Sequence, residues 1–283
     1  MPNGTFCRLI KPVDCYHPLI ATALRALYFR PGYPVGKARR LSAVETLFGS
    51  KRICVRTRAG FLFACDQRDW LQRNLLCNRV HEVEVSDLLA RQLSPSDVFF
   101  DVGANAGYFT CLALSVGVQR VVAFEPDPLT CKTFWAQIRL NGWDARACEL
   151  VEGGLSEQAG QLDLIRGSDS GESGFGDWPH RLPVGQIAVN VMTLDDYCAS
   201  KDVRPTVMKV DVEGWELKVF KGAMKTLSDR RLRLITFEAE VDRQAQMTDR
   251  RLFDLLRSLG FGIEHIPRPS GSLKPTENFC ARR

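Results

Sequence analysis

From Lys51 onward the chain alternates short apolar runs with segments of helical spacing. Residues 52–58 (RICVRTR) alternate apolar and polar, Gly60 punctuates and FLFAC follows, a pattern that predicts a β-hairpin. Helical spacing then runs through Trp70, Leu71, Leu75, Leu76, Val85, Leu88 and Leu89 until Pro95 stops it. Strands are predicted at Val98–Val102, Arg120–Phe124, Ala145–Val151, Thr206–Asp211, Leu232–Phe237 and Phe261–Ile266, with NFCA (278–281) as a last one. Between them, helices are predicted from Tyr108 to about Val116, from Pro128 to about Leu140, from near Gly214, and from a Thr248 cap through Leu259. Strands apolar on both faces, alternating with helices, predict an α/β fold with a doubly wound, mostly parallel sheet. QLDLIRG (161–167) and QIAVNVMTL (186–194) flank the Gly/Ser-rich GSDSGESGFGDW (167–178) and predict a hairpin inserted after the third strand. The expected organisation is an extension over residues 1–50, a hairpin and helical lead-in over 51–95, and the main domain over 96–283.

With 283 residues and 45% hydrophobic content the chain can bury a full core, and its charged fraction of 25% excludes wholesale disorder. The net charge of +5 is uneven. Residues 1–60 hold eleven Lys/Arg against Asp14 and Glu45, giving +9, and the remainder carries −4. A basic front end suits solubility or peripheral contact with an anionic membrane surface, and its one helical candidate, HPLIATALRALYF (17–29), is interrupted by Arg25. No run reaches the ~18 apolar residues of a membrane span. The ten cysteines form no C-x-x-C pair, and several lie inside apolar runs, which fits a reduced, cytoplasmic protein better than a disulfide framework or zinc site.

The chemistry concentrates where strands end. VFFDV runs into a turn built on Gly103 and Gly107, a helix begins, and about twenty residues later VVAFEP ends a second strand on Glu125. That is the layout of a nucleotide-cofactor site at the carboxyl ends of parallel strands. The dinucleotide pattern G-x-G-x-x-G is absent, because Asn105 stands where its second glycine belongs. Carboxylates at Asp101 and Glu125 suit a cationic ligand with a ribose diol rather than a pyrophosphate, and S-adenosylmethionine has that character. In this reading Asp101 accepts from the amino group, directly or through water. Gly103 and Gly107 keep Cβ atoms away, Asn105 bonds backbone or cofactor, Tyr108 lines the pocket, and Glu125 accepts from the ribose hydroxyls. Pro126 and Asp127 follow it, and Asp127 reads equally as a helix N-cap.

A second cluster lies at Lys209, Asp211 and Glu213. Strand alternation puts Lys209 and Asp211 on one face, and a lysine inside an apolar strand needs a carboxylate or a cleft. Glu213 and Glu216 are placed at a helix start, where the dipole favours them, Glu216 as a structural cap. Glu238 ends the fifth strand facing the same crevice. Asp211, which faces the cofactor's methyl end and counts among the cofactor-binding residues, is the first choice for a general base and Glu238 the second, with Lys209 and Glu213 as further catalytic candidates and His180 in the insert a further option. Phe175 and Trp178 would stack on a sugar or pin the loop. His17, His81 and His265 give no ligand spacing. Asp211, Glu213 and Glu238 are the sort of oxygen donors a magnesium ion takes, but the expectation is a site without metal.

The succession DVGANAGYFT, FEPDP, GGLSE, TLDDY, KVDVEGWELKVFKGA and TFEAE resembles the FkbM family of S-adenosylmethionine-dependent methyltransferases, over roughly residues 60–266. DQRDWLQRNLLCNRVHE is similar to that family's lead-in, with Val80 and His81 where a glycine is common. The resemblance implies a Rossmann-like seven-stranded methyltransferase sheet and O-methylation of hydroxyls on sugars, polyketides or lipid-linked glycans. It also implies cofactor contacts at Ala104 and, near the adenine, at Gly154, Leu155 and Ser156. The expected activity is methyl transfer to a hydroxyl of a glycan or specialised metabolite. The rivals are a nicotinamide oxidoreductase, a non-catalytic cofactor-binding module, and N-methylation of a small molecule or nucleic acid. The N/D-P-P-Y/F signature of amino-group methylation is missing, and no specific nucleic acid partner is expected.

Overall fold

The computed structural model describes residues 52–66, 68–144, 146, 148–168, 170–176, 183–241, 250–268 and 276–283. The basic extension with its 17–29 helix, Trp178, His180 and the Thr248 cap lie outside the described residues. The described residues up to His81 belong to one compact unit and those from Glu82 onward to a second.

In the first unit, β1 (Ile53–Arg56) and β2 (Leu62–Cys65) form the expected antiparallel hairpin, with Ile53 opposite Cys65. Helix α1 (Trp70–Asn78) is capped by Asp69, whose side chain accepts from the Gln72 N–H. Arg79 then turns left-handed (φ 62°) and returns its N–H to Leu75. The second unit opens on α2 (Val83–Gln92), preceded by left-handed Glu82 (φ 40°). The helical spacing is therefore interrupted over residues 79–82. Four residues are close to one turn of about 3.6, so in the sequence the apolar spacing reads on across the break.

The second unit holds the doubly wound sheet. Its strands are β3 (Val98–Val102), β4 (Arg120–Glu125), β5 (Cys148–Glu152), β10 (Val207–Val210), β11 (Leu234–Glu240), β12 (Gly262–Ile266) and β13 (Thr276–Arg282). Their order is β12-β13-β11-β10-β3-β4-β5, and only β13 runs antiparallel to its neighbours. Helices α3 (Tyr108–Ser115), α4 (Pro128–Leu140), α5 (Leu194–Lys201), α6 (Glu216–Lys221), α7 (Met224–Ser228) and α8 (Arg251–Ser258) complete the unit. Phe100, Phe124, Tyr197, Phe220, Phe237, Phe253 and Phe279 pack in one continuous core. Each such buried ring contributes ~1.5–3 kcal/mol, and together they hold the strand ends in a fixed frame.

The expected insert hairpin belongs to a second, four-stranded sheet, β6-β9-β7-β8, built from β6 (Gly154–Leu155), β7 (Gly160–Gly167), β8 (Gly174–Phe175) and β9 (Pro183–Met192). β7 and β9 pair antiparallel from Gly160–Val191 to Gly167–Pro183. The run read as strand through Leu194 instead stops at Met192, because the Thr193 hydroxyl accepts the Asp196 N–H and starts α5. Another expected element, the helix placed near Gly214, shifts. Glu213 lies in left-handed conformation (φ 54°) ahead of α6, outside any helix dipole, and the helix begins only at Glu216.

The seven cysteines at 54, 65, 111, 131, 148, 198 and 280 are buried free thiols. Among the described residues no helix is long and apolar enough to cross a membrane.

Candidate active site

The carboxyl ends of β3, β4, β10 and β11 meet in the second unit and bring Asp101, Glu125, Asp211 and Glu238 to one edge of the sheet. Between β3 and α3 the chain turns through Gly103 (φ 74°), Asn105 (φ 50°) and Gly107 (φ 87°). A Cβ on residue 103 would stand 1.9 Å from the Asp211 carbonyl oxygen, and one on residue 107 would stand 2.6 Å from the Phe134 ring. Both glycines are thus demanded by backbone angle and by close approach. The N–H groups of Gly103 and Ala104 both donate to the Phe124 carbonyl, which ties the turn to β4. Asn105 spends its side chain locally, accepting the Ala106 N–H at 2.6 Å. Tyr108 is buried, and its hydroxyl accepts from Ser86 at 3.3 Å.

Glu125 closes this turn from below. One carboxylate oxygen accepts the Asn105 N–H and the other the Asp127 N–H, each at 2.9 Å. Burial pushes its pKa up to about 7 against both of those hydrogen bonds. Pro126 follows, and Asp127 is the N-cap of α4, accepting from Leu129 at 2.8 Å. The same carboxylate takes a bidentate contact from Arg166 of β7 at 2.7 and 2.8 Å, a partner with no mark in the sequence. Asp127 therefore joins the main sheet to the insert.

The next element is a row across three strands. Lys209 on β10 is in register with Asp101 on β3 and Thr236 on β11. Its ammonium lies 3.2 Å from Asp211 and 3.9 Å from Asp101, donates to the Gly103 carbonyl at 3.1 Å, and sits 5.2 Å from the centre of the Phe109 ring. Burial opposes the charge, but Asp211 and then Asp101 outweigh it and push the Lys209 pKa up, so the group stays protonated. A charged ammonium between two carboxylates suits a counter-ion to Asp211 and Asp101. Asp101 is fully buried; Thr110 donates to its Oδ2 at 2.7 Å, while Oδ1 has no hydrogen-bond partner. Burial raises its pKa, since the lysine is too far to compensate fully.

Val85, Lys209, Asp211, Thr236, Glu238 and Asn278 line a cleft beside this row. The carboxylates of Asp211, Glu213 and Glu238 approach within 4.8 Å of one another. Two of these acids already have cations of this chain: Lys209 beside Asp211, and Arg268 donating to Glu238 at 2.8 Å. Glu216 points back from α6 to accept the Val212 and Gly214 N–H groups, and burial lifts its pKa to about 8. It braces the turn rather than facing the cleft.

On the far side of β4, Gly154 and Leu155 pair with β9 and are buried, and a Cβ on residue 154 would strike the Phe175 ring at 2.7 Å. Ser156 accepts from the Trp215 indole at 3.3 Å. Phe175 is buried against Trp215 (ring centres 5.7 Å apart), so it pins the insert and offers no face for stacking. Arg166, Arg268, Thr276 and Asn278 join the site without any signal in the sequence, because each is an ordinary polar residue whose partner lies far along the chain, and Thr110, nine residues from Asp101, reads as a plain helix residue.

Seven strands in this order, with one antiparallel strand and acid-terminated β3 and β4 around a glycine turn, define a Rossmann-like methyltransferase fold. The family model of the methyltransferase FkbM domain matches residues 101–263, and the chain belongs to that family. The hexuronic acid methyltransferase AglP of Haloferax volcanii is 31% identical over 166 residues, 57% of this chain; the match spans 64% of that relative's length. The 2-O-methyltransferase NoeI of Sinorhizobium fredii is 25% identical over 232 residues, covering 75% of this chain and 92% of that one. A crystal structure of a methyltransferase FkbM from Methylobacillus flagellatus KT matches with TM-score 0.50 at 17% identity, over 94% of this chain and 58% of the other, a likeness of fold.

Proposed function

We propose that this protein moves a methyl group from S-adenosylmethionine to a hydroxyl oxygen of a glycan or other specialised metabolite. The observation that carries the reading is the Lys209–Asp211 pair beside Glu238, set at strand ends directly against the Gly103 turn. The residues fit the cofactor. Asp101 keeps one buried oxygen without a hydrogen bond, Glu125 presents a carboxylate anchored by two N–H groups, and positions 103 and 107 exclude any Cβ. Two buried acids there disfavour a pyrophosphate, which argues against a nicotinamide cofactor. When bound, S-adenosylmethionine supplies an electrophilic sulfonium methyl group.

The protein's share of the work is placement and proton transfer. Glu125 would hold the ribose hydroxyls, with Asn105, Tyr108 and Pro126 shaping that side and Gly154 and Leu155 the adenine side. Asp101 would orient the amino group, directly or through Thr110 and Lys209. Asp211 would take the acceptor hydroxyl's proton at a carboxylate oxygen, with Glu238 accepting from a neighbouring hydroxyl of the acceptor and so orienting it. Lys209, held protonated, keeps Asp211 ionised and stabilises the charge that accumulates as the proton moves. Glu213 completes the acidic wall. Relatives named as hexuronic acid and 2-O-methyltransferases support a sugar hydroxyl as acceptor. Asp211 and Glu238 each have a cation of this chain beside them, so this reading assigns no step to a metal.

The test is turnover with labelled methyl donor and a panel of glycans. Asp211→Asn should lose ~10²–10⁴-fold in kcat while keeping cofactor affinity, the typical worth of a positioned base. Full turnover in that variant removes Asp211 from the role, and binding of cofactor with no methylated product from any acceptor points to a non-catalytic module.

A further inference from the structure

Behind Glu238 lies a buried polar network that methyl transfer, as described, does not use. The Arg268 side chain, 7% exposed, follows β12 and reaches two acids that are equally buried. It donates to Glu238 Oε1 at 2.8 Å and places its Nε 3.4 Å from Glu84 of α2. Thr276, the first residue of β13, donates to the same Glu238 oxygen at 2.6 Å. Asn278, two residues further along β13, donates to Glu84 at 3.1 Å and also lines the cleft. Thr276 of β13 and Arg268 of the loop after β12 thus converge on one Glu238 oxygen, and Arg268 and Asn278 tie the network to Glu84 of α2.

Stability does not account for this arrangement. A buried arginine between two acids carries a desolvation penalty that apolar side chains of similar volume avoid, so such networks are poor devices for holding a fold together. The Arg268 Nη1 is buried with no hydrogen-bond partner, which is a further cost. What the network achieves is a fixed orientation. Two donors on Oε1 set the rotation of the Glu238 carboxylate, and that carboxylate stands within 4.8 Å of the Asp211 oxygens. A guanidinium with a rigid fork does this better than a flexible ammonium.

We propose that Arg268 is a positioning residue for acceptor binding: with Thr276 it holds Glu238 ionised and turned toward Asp211, so that the reacting hydroxyl donates to Asp211 while a neighbouring hydroxyl of the acceptor donates to Glu238, each carboxylate with its own cation. The proposal rests on the methyl-transfer reading above. Asp211 is paired with Lys209 and Glu238 with Arg268, and the two pairs divide the labour, one for the proton and one for orientation.

The experiment compares wild type with R268Q, R268K and T276V in the full-length protein. Glutamate labelled with ¹³C at Cδ reports the Glu238 titration by NMR, assigned with E238Q. Labelled methyl transfer to a panel of methyl glycosides (a neutral hexoside, a 6-deoxyhexoside and a hexuronide) reports kcat/KM against pH. R268Q should raise the Glu238 midpoint by at least one pH unit and move the acid limb of the rate profile by the same amount. Its acceptor KM should rise at least tenfold with cofactor affinity unchanged. R268K should recover part of both shifts, and T276V, which keeps the ion pair if R268Q fails to fold, should show the same direction at smaller size. A moved Glu238 midpoint with an unmoved acid limb and acceptor KM makes Arg268 merely structural and overturns the proposal. If wild type binds the cofactor but methylates none of the glycosides, the hydroxyl-acceptor reading falls and takes the proposal with it, an outcome distinct from the first.

Discussion

Gly103 and Asp211 touch through their backbones: a methyl group at residue 103 would overlap the Asp211 carbonyl oxygen at 1.9 Å. The turn at the end of β3 and the acid at the end of β10 are therefore one assembly. The Asp211 N–H donates to Val102 at 3.1 Å, which closes the contact from the other side. Gly103→Ala meets both a left-handed backbone and a clash with atoms that cannot rotate away. Its cost should exceed ~3 kcal/mol, in the range reserved for strained or overpacked positions. Thermal unfolding should show the loss, and calorimetric titration should show cofactor binding weakened with it; a native melting temperature would refute the coupling.

Lys209 serves Asp101 as well as Asp211, so removing it strands a buried acid. Lys209→Met should destabilise the protein by ~3–5 kcal/mol, the usual penalty for breaking one side of a buried pair. Asp101→Asn in the Lys209→Met background should recover part of that loss, because the amide needs no counter-charge and can still accept from Thr110. Urea denaturation of the four members of the cycle gives the coupling energy, and strict additivity would show that the 3.9 Å contact carries nothing.

Glu125 has a pKa pushed up to about 7 by burial, and ribose hydroxyls bind an ionised carboxylate better than a protonated one. Affinity for S-adenosylmethionine should therefore fall as the pH drops below about 7, by up to about tenfold per unit. Glu125→Gln should not mimic either state well. Both carboxylate oxygens accept backbone N–H groups, so the amide NH₂ would face a donor, at ~1–3 kcal/mol. Titration of binding between pH 5.5 and 8.5 tests this, and a flat wild-type profile would remove Glu125 from the ribose.

Glu216 shows the opposite consequence of burial, in stability. Its carboxyl titrates near 8 in the folded chain against an ordinary 4.5. Below 4.5 folded and unfolded chains both hold the proton. As the pH rises from there through about 8, the unfolded chain gives it up first, and stability declines. Glu216→Gln keeps an acceptor oxygen for Val212 and Gly214 without the charge. Its denaturation midpoint should fall less between pH 6 and 9 than that of wild type, with Glu125 still contributing below about 7.

The parts of the site that follow from local rules are readable in the chain. The alternation that puts Lys209 and Asp211 on one face, the strands ending on Asp101 and Glu125, and the glycine turn all depend on residues close in sequence. What stays hidden depends on pairing at long range. NFCA reads as a strand, but its place between β11 and β12 and its reversed direction arise from sheet closure. Arg268 and Thr276 become partners of Glu238 only once that strand is in place. Glu213 misled for a different reason: its position before Gly214 and Glu216 reads as a helix start, whereas the Glu216 side chain draws the turn inward and delays the helix.

The position of β13 also orders assembly in time. β12 has β13 as its sheet neighbour, and two side-chain donors on Glu238, Arg268 and Thr276, lie beyond residue 266. During synthesis the cofactor turn, β4 and the Lys209 row leave the ribosome well before these residues do. The methyl-donor half can take shape on the nascent chain, while the acceptor half waits for the segment that slides between two strands already made.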